Sequence, residues 1–383
     1  MPATLAILSI VFVESIFSAA GVTDQADTAT HKLLSILILL IMNGANGIST
    51  KASTQLNNLF VVTKFLSILL IVIAATVVII LQVSNPDRHV GGRDWYEKSW
   101  FGYRTSLNSD GSKTHWSNLS AWEMLGHYSA ALYGALWAYS GWDKAIYITA
   151  ELKSPARQLP LAINTAIPTI IFCFIFSNAA YYILLPWNAI SATDSVAVTA
   201  ITRLMGDAFG IIAAILICLV VAGSLLGNSF VAGRMAVAAA NTNWLPRVFG
   251  VVGQIGNAKP SSPENSPRSD APLNAIILST VLSTLYILLG NFRALVTFNG
   301  LGEYSFFFLT VLGAIILRWR EPQLRRPYKP FVLVPVIFTV VSGFVVVRGA
   351  IFAPTLALVL IAVWILGLGF YYVRRRYDIQ RGE

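Results

Sequence analysis

The chain has 383 residues, with 27 Lys+Arg against 18 Asp+Glu and a net charge of +9. Only 12% of its residues are charged and 56% are hydrophobic, where soluble domains carry roughly 25% charged residues. So little polar surface excludes an ordinary cytosolic enzyme, a disordered chain and a disulfide scaffold.

A helix needs about 20 apolar residues to cross the hydrocarbon layer, and it satisfies its own backbone hydrogen bonds there. Runs of that kind recur along the chain and predict ten spans. They cover residues 3–20, 33–50, 65–86 and 124–142, then 158–193, which is long enough for one span plus a loop. The rest cover 208–233, 271–292, 295–317, 330–347 and 349–373, the last two divided at Arg348. The first run ends on small residues like a signal peptide, but it lacks a basic leader and contains Glu14, so it reads as a retained helix. The runs are too long and too continuously apolar for barrel strands.

With Met1 inside, ten spans return the C-terminus inside, and 16 of the 27 basic residues fall in inner loops. The positive-inside bias favours that orientation, and it explains the basic excess better than nucleic acid does; no nucleic-acid partner is expected. The long segment 83–119 is then an extracellular loop leading into Asn118-Leu119-Ser120, a candidate glycosylation sequon on the side where it can be used. Segment 256–270 is Pro- and Ser-rich and reads as a flexible cytoplasmic loop. Cys173 and Cys218 sit in apolar runs as small buried hydrophobes.

Four ionisable residues fall in or beside spans: Glu14, Lys64, Asp143 and Glu303. Burying a charge in a bilayer costs several kcal/mol unless it faces a cavity or a partner, so each needs a reason. Glu14 reads as a packed helix contact. No hydrolytic, metal-binding or nucleotide motif occurs and the four histidines are scattered, so neither enzyme activity nor a metal or cofactor is expected. In residues 131–143, Ser140 and Gly141 stand among aromatics, where a helix unwinds most easily. Two readings stay open: unwound backbone lining a cavity, or a small-residue packing notch.

Trp137-Ala138-Tyr139-Ser140-Gly141-Trp142, followed by Glu151, Pro155, Arg157, Leu159 and Pro160, resembles the sixth helix and following loop of the L-type amino-acid transporter family. That family belongs to the amino acid–polyamine–organocation (APC) superfamily. The likeness extends back through 57–64 and on through Gly223–Gly227, Gly233-Arg234-Met235, Arg318–Pro322 and Arg326–Lys329. It thus covers nearly the whole chain and looks closest to the fungal methionine-permease branch.

The resemblance implies an all-α polytopic membrane protein with an inverted-repeat fold, a single transmembrane transporter domain over 1–383. The family has twelve helices; the first here resembles its third, so the broken first helix and its glycine-rich turn are expected to be missing. It implies secondary-active, alternating-access transport of neutral L-amino acids, methionine among the candidates, in the plasma membrane. The alternative is a truncated, non-transporting relative or a nutrient sensor. Trp137 matches an aromatic gate over the substrate. The break at Trp137, Ala138, Tyr139, Ser140 and Gly141 matches the substrate-binding break, where the backbone of Trp137, Ala138 and Ser140 matches the groups that bind the amino group, with Ser140 where the family usually has glycine. Lys64 matches a lysine that stands in for a sodium ion. Asp143, Glu303 and Tyr304 fall near the cavity. Animal members join a heavy chain through a cysteine in the outer loop after the third helix; loop 21–31 has none here, so no disulfide-linked heavy chain is expected.

Overall fold

A computed structural model describes residues 1–22, 28–48, 50–85, 90–107, 112–144, 152–193, 195–253, 271–326 and 329–381. The expected inner segment 256–270 lies outside them. In chain order the helices are α1 (Pro2–Ala19), α2 (Ala29–Ile48), α3 (Thr50–Ser84), α4 (Asp94–Glu97), α5 (Ala121–Ala138), α6 (Pro155–Leu184) and α7 (Trp187–Ala192). They continue with α8 (Val196–Met205), α9 (Asp207–Asn241), α10 (Leu273–Leu289), α11 (Phe292–Arg320), α12 (Leu333–Phe352) and α13 (Pro354–Arg381). A short antiparallel hairpin, β1 (Thr105–Leu107) and β2 (Lys113–His115), pairs Thr105 with His115 in the loop after α3.

Among the described residues eight helices are long and apolar enough to cross a membrane: α1, α2, α3, α6, α9, α11, α12 and α13. The other two expected spans are also helical, as α5 and the 17-residue α10. Four boundaries move, the first being α3, which starts at Thr50 and not at residue 65. Run 158–193 resolves into α6 and the short α7, separated at Pro186. Helix α9 continues past Gly233 to Asn241 through alanine-rich sequence, and Arg234 within it lies over the Phe230 ring, 5.3 Å from its centroid. The last two spans divide at Pro354 and not at Arg348. Arg348 is buried inside α12, where its guanidinium stacks 4.2 Å from the Trp122 ring centroid and donates to the Trp122 carbonyl.

The chain forms two compact units, Met1–Asn118 with Trp142–Phe292, and Leu119–Gly141 with Arg293–Glu383. In the first, α1 packs against α9, α2 and α10, and Leu5, Ile7 and Val13 are almost wholly buried. Helix α3 approaches α9 closely because Gly223 leaves room for the Phe60 ring; a Cβ there would overlap it. The loop after α3 folds onto α6, with Gly92 N–H donating to the Ile183 carbonyl at 2.9 Å.

In the second unit α5 packs against α12. Tyr133 is buried there with its ring against Gly300 and Gly349, and its hydroxyl donates to the Val345 carbonyl at 2.7 Å. Apolar side chains elsewhere point outward, among them Val340 at 65% and Leu366 at 73% exposure. In water such faces would be costly; against lipid tails they are the expected surface.

Candidate functional site

Helix α5 has a well-defined start and an abrupt end. Ser120 caps it, accepting from Glu123 N–H while Glu123 Oε2 accepts from Ser120 N–H at 2.9 Å. That reciprocal pair satisfies two of the donors every helix start leaves free. The helix stops at Ala138. Ser140 N–H turns back to the Trp137 carbonyl at 3.0 Å, and Gly141 takes φ +121°, a backbone region L-residues rarely adopt. Here Gly141 does need to be glycine.

The break brings Ser140 and Glu303 together: the Ser140 hydroxyl donates to Glu303 Oε2 at 3.5 Å, from α5 to α11. Tyr304 packs its ring edge-on against Phe307, with centroids 5.4 Å apart. Trp137, Ala138, Tyr139, Ser140 and Gly141 are all partly exposed. Two features give this end of α5 a negative potential: the carbonyl end and dipole of a helix C-terminus, and the Glu303 carboxylate. Chemically it suits an ammonium group.

The remaining candidates lie in the first unit. Asp143 is buried, and Lys144 Nζ donates to Asn228 Oδ1 at 2.6 Å. Lys64 is half-buried on α3, one turn beyond Phe60 and flanked by the buried Thr63 and Ser67. Among the described residues it makes no hydrogen bond or ion pair. Asn118 is exposed at the end of a 3₁₀ turn, Trp116–Asn118.

Glu14, expected as a packed helix contact, has a polar partner the sequence did not show, and Asp94 was not anticipated at all. Glu14 on α1 reaches His31 on α2, with Oε2 and Nε2 3.2 Å apart. The only sequence signal was the spacing of His31 and Ser35, one helical turn apart. Outside the spans, buried Asp94 accepts from Trp187 N–H at 2.7 Å and pairs with Lys98 at 2.7 Å. Burial opposes its ionisation, but the Lys98 and Trp187 hydrogen bonds and the charges of Lys98 and Arg104 outweigh burial. They hold its carboxyl below the usual carboxylate range.

Sequence comparisons agree with this architecture. The human b(0,+)-type amino acid transporter 1 is 28% identical over 98% of this chain, which spans 69% of that protein. The mouse Asc-type amino acid transporter 1 is 24% identical over 97% of the chain, covering 63% of its own length. The human large neutral amino acids transporter small subunit 2 is 25% identical over 97% of the chain, with 62% of that protein covered. The chain thus spans about two thirds of the length of these relatives. The family model described as amino acid permease matches residues 1–371. With nearly every residue inside that match and eight membrane-length helices, the chain is a multi-pass membrane protein of the amino acid permease family.

Proposed function

We infer that the chain is a secondary transporter carrying neutral L-amino acids, methionine among them, across the plasma membrane by alternating access. The observation that carries this reading is the end of α5. Helix α5, one of the expected spans, stops at Ala138, and its carbonyl end stands beside Glu303. Unwound backbone at membrane depth is tolerated where it lines a cavity, which favours the binding reading of Ser140-Gly141 over the packing notch. The substrate's ammonium is held by the carbonyls of Trp137, Ala138 and Ser140, and Trp137 closes over its side chain. The names of the relatives, all amino acid transporters, support the substrate class.

Lys64 supplies the positive charge that a sodium ion supplies in sodium-coupled relatives. Uptake is therefore expected to be unchanged when choline replaces sodium, and a strict sodium requirement would remove Lys64 from this role. The test of the whole reading is radiolabelled uptake in a transporter-deficient host, with competition by each of the twenty amino acids. Saturable uptake competed by neutral amino acids supports it. Binding without uptake would make the protein a sensor instead.

A further inference from the structure

The pairing of Glu14 with His31 has no part in the transport reading above. His31 is completely buried and Glu14 is 14% exposed, so both have left water. A buried ionisable pair is stable only when its charges balance; breaking one by removing a partner leaves an uncompensated charge in low dielectric. The groups around the imidazole bear on the form it takes. The Ser35 hydroxyl donates to the His31 carbonyl at 2.9 Å, so its proton is committed. Its oxygen, 3.5 Å from His31 Nδ1, is then left to accept. Nδ1 thus lies 3.5 Å from a hydroxyl oxygen and Nε2 lies 3.2 Å from a carboxylate oxygen, a contact that is an ion-pair approach and not an aligned hydrogen bond. The Phe17 ring, its centroid 5.4 Å from that of the imidazole, closes the apolar side.

We propose that Glu14 and His31 form a proton-binding site in the membrane, with His31 as the imidazolium and Glu14 as its counter-charge. Loss of the proton leaves a net negative charge in the site; gain of a second leaves a net positive one. The neutral pair ties α1 to α2 between those limits. Glu14 lies five residues before the end of α1 and His31 in the first turn of α2. At about 1.5 Å per residue the site is roughly 7 Å from the helix ends, near the connector between them. With the orientation read from the charge bias, that connector faces the outside. Proton exchange with the external phase would pass by Glu14, the less buried of the two at 14% exposure.

Among the described residues no other titratable group shares the site. On α2, Lys32 donates to the Leu288 carbonyl at 3.1 Å. On α9, Cys218 Sγ lies 3.6 Å from the Phe12 carbonyl, and Asp207 and Arg234 lie far along the helix on either side of it. Helices α3, α8 and α10 contribute Lys64, Arg203 and Tyr286. Among the described residues none of these hydrogen-bonds or pairs with Glu14 or His31.

The chain has four histidines, so histidine labelled with carbon-13 and nitrogen-15 gives a countable set of imidazole signals from the whole protein in lipid nanodiscs. His31→Gln assigns the relevant one. If that variant does not accumulate, replacing His89, His115 and His127 in turn assigns it by elimination. At pH 7 the native protein should show His31 protonated on both nitrogens, and Glu14→Gln should lose that signal in favour of the singly protonated ring. A singly protonated His31 in the native protein would overturn the proposal, as would a doubly protonated one that survives Glu14→Gln. Neither readout requires transport, so the transport reading stands or falls separately.

Discussion

Tyr133 illustrates how single side chains hold these helices without charge. Its ring fills the space that Gly300 and Gly349 leave open, and its hydroxyl satisfies a buried carbonyl. Tyr133→Phe deletes only the hydrogen bond and should cost about 1 kcal/mol. Gly349→Ala pushes a methyl into the ring and should cost about 1–3 kcal/mol. Thermal melts of the detergent-solubilised variants check the order, with the alanine variant melting lower. Asp94 gives a pH-dependent counterpart. Its folded carboxyl is held below the ordinary range, so its contribution is fully present above about pH 4 and is lost as pH falls through the lowered folded value. Asp94→Asn should therefore destabilise the outer loop by about 1–2 kcal/mol at neutral pH, and the difference from the native protein should vanish in strong acid. Limited proteolysis between residues 90 and 107 reads it. Little of this was legible beforehand. Ser140 and Glu303 are 163 positions apart, and His31, flanked by Thr30 and Lys32, looks like loop sequence until α2 buries it.

At the scale of elements, apolar run length predicted nearly every membrane helix, because lipid demands long uncharged segments whatever their packing. The misread boundary at Arg348 has a definite cause: one charge looked like a loop, but a stacked indole and a carbonyl accept it within α12. The end of α5 was legible from Ser140-Gly141 because aromatic residues surround a glycine that the turn requires at φ +121°. Leucine at that position must either adopt a strained backbone, at about 1–3 kcal/mol, or straighten the turn. Gly141→Leu should therefore abolish uptake while leaving membrane levels near normal, measured by transport alongside surface labelling. Undiminished uptake would return the segment to a packing role.

For the molecule as a whole, we propose that the ten expected helices are entered from the inside, which places position 262 inside and Asn118 outside. A cysteine at position 262 should resist a membrane-impermeant reagent in intact cells and react in permeabilised ones. Asn118, exposed after the hairpin, should accept glycan in a eukaryotic host, read as a gel shift reversed by glycosidase and absent in Asn118→Gln.

The buried guanidinium of Arg348 bears on how the protein is made. Its carbonyl partner, Trp122, lies 226 positions earlier in the chain. A helix bearing arginine is released into lipid reluctantly, at up to about 3 kcal/mol for a central position. When α12 leaves the ribosome, α5 has already been synthesised and can receive that charge directly. Biogenesis then has an order: α5 must linger at the insertion machinery until α12 arrives. Trp122→Ala keeps that carbonyl but removes the indole stacked on the guanidinium, and should leave α12 delayed or partly translocated, caught as a degradation-prone intermediate in pulse–chase experiments.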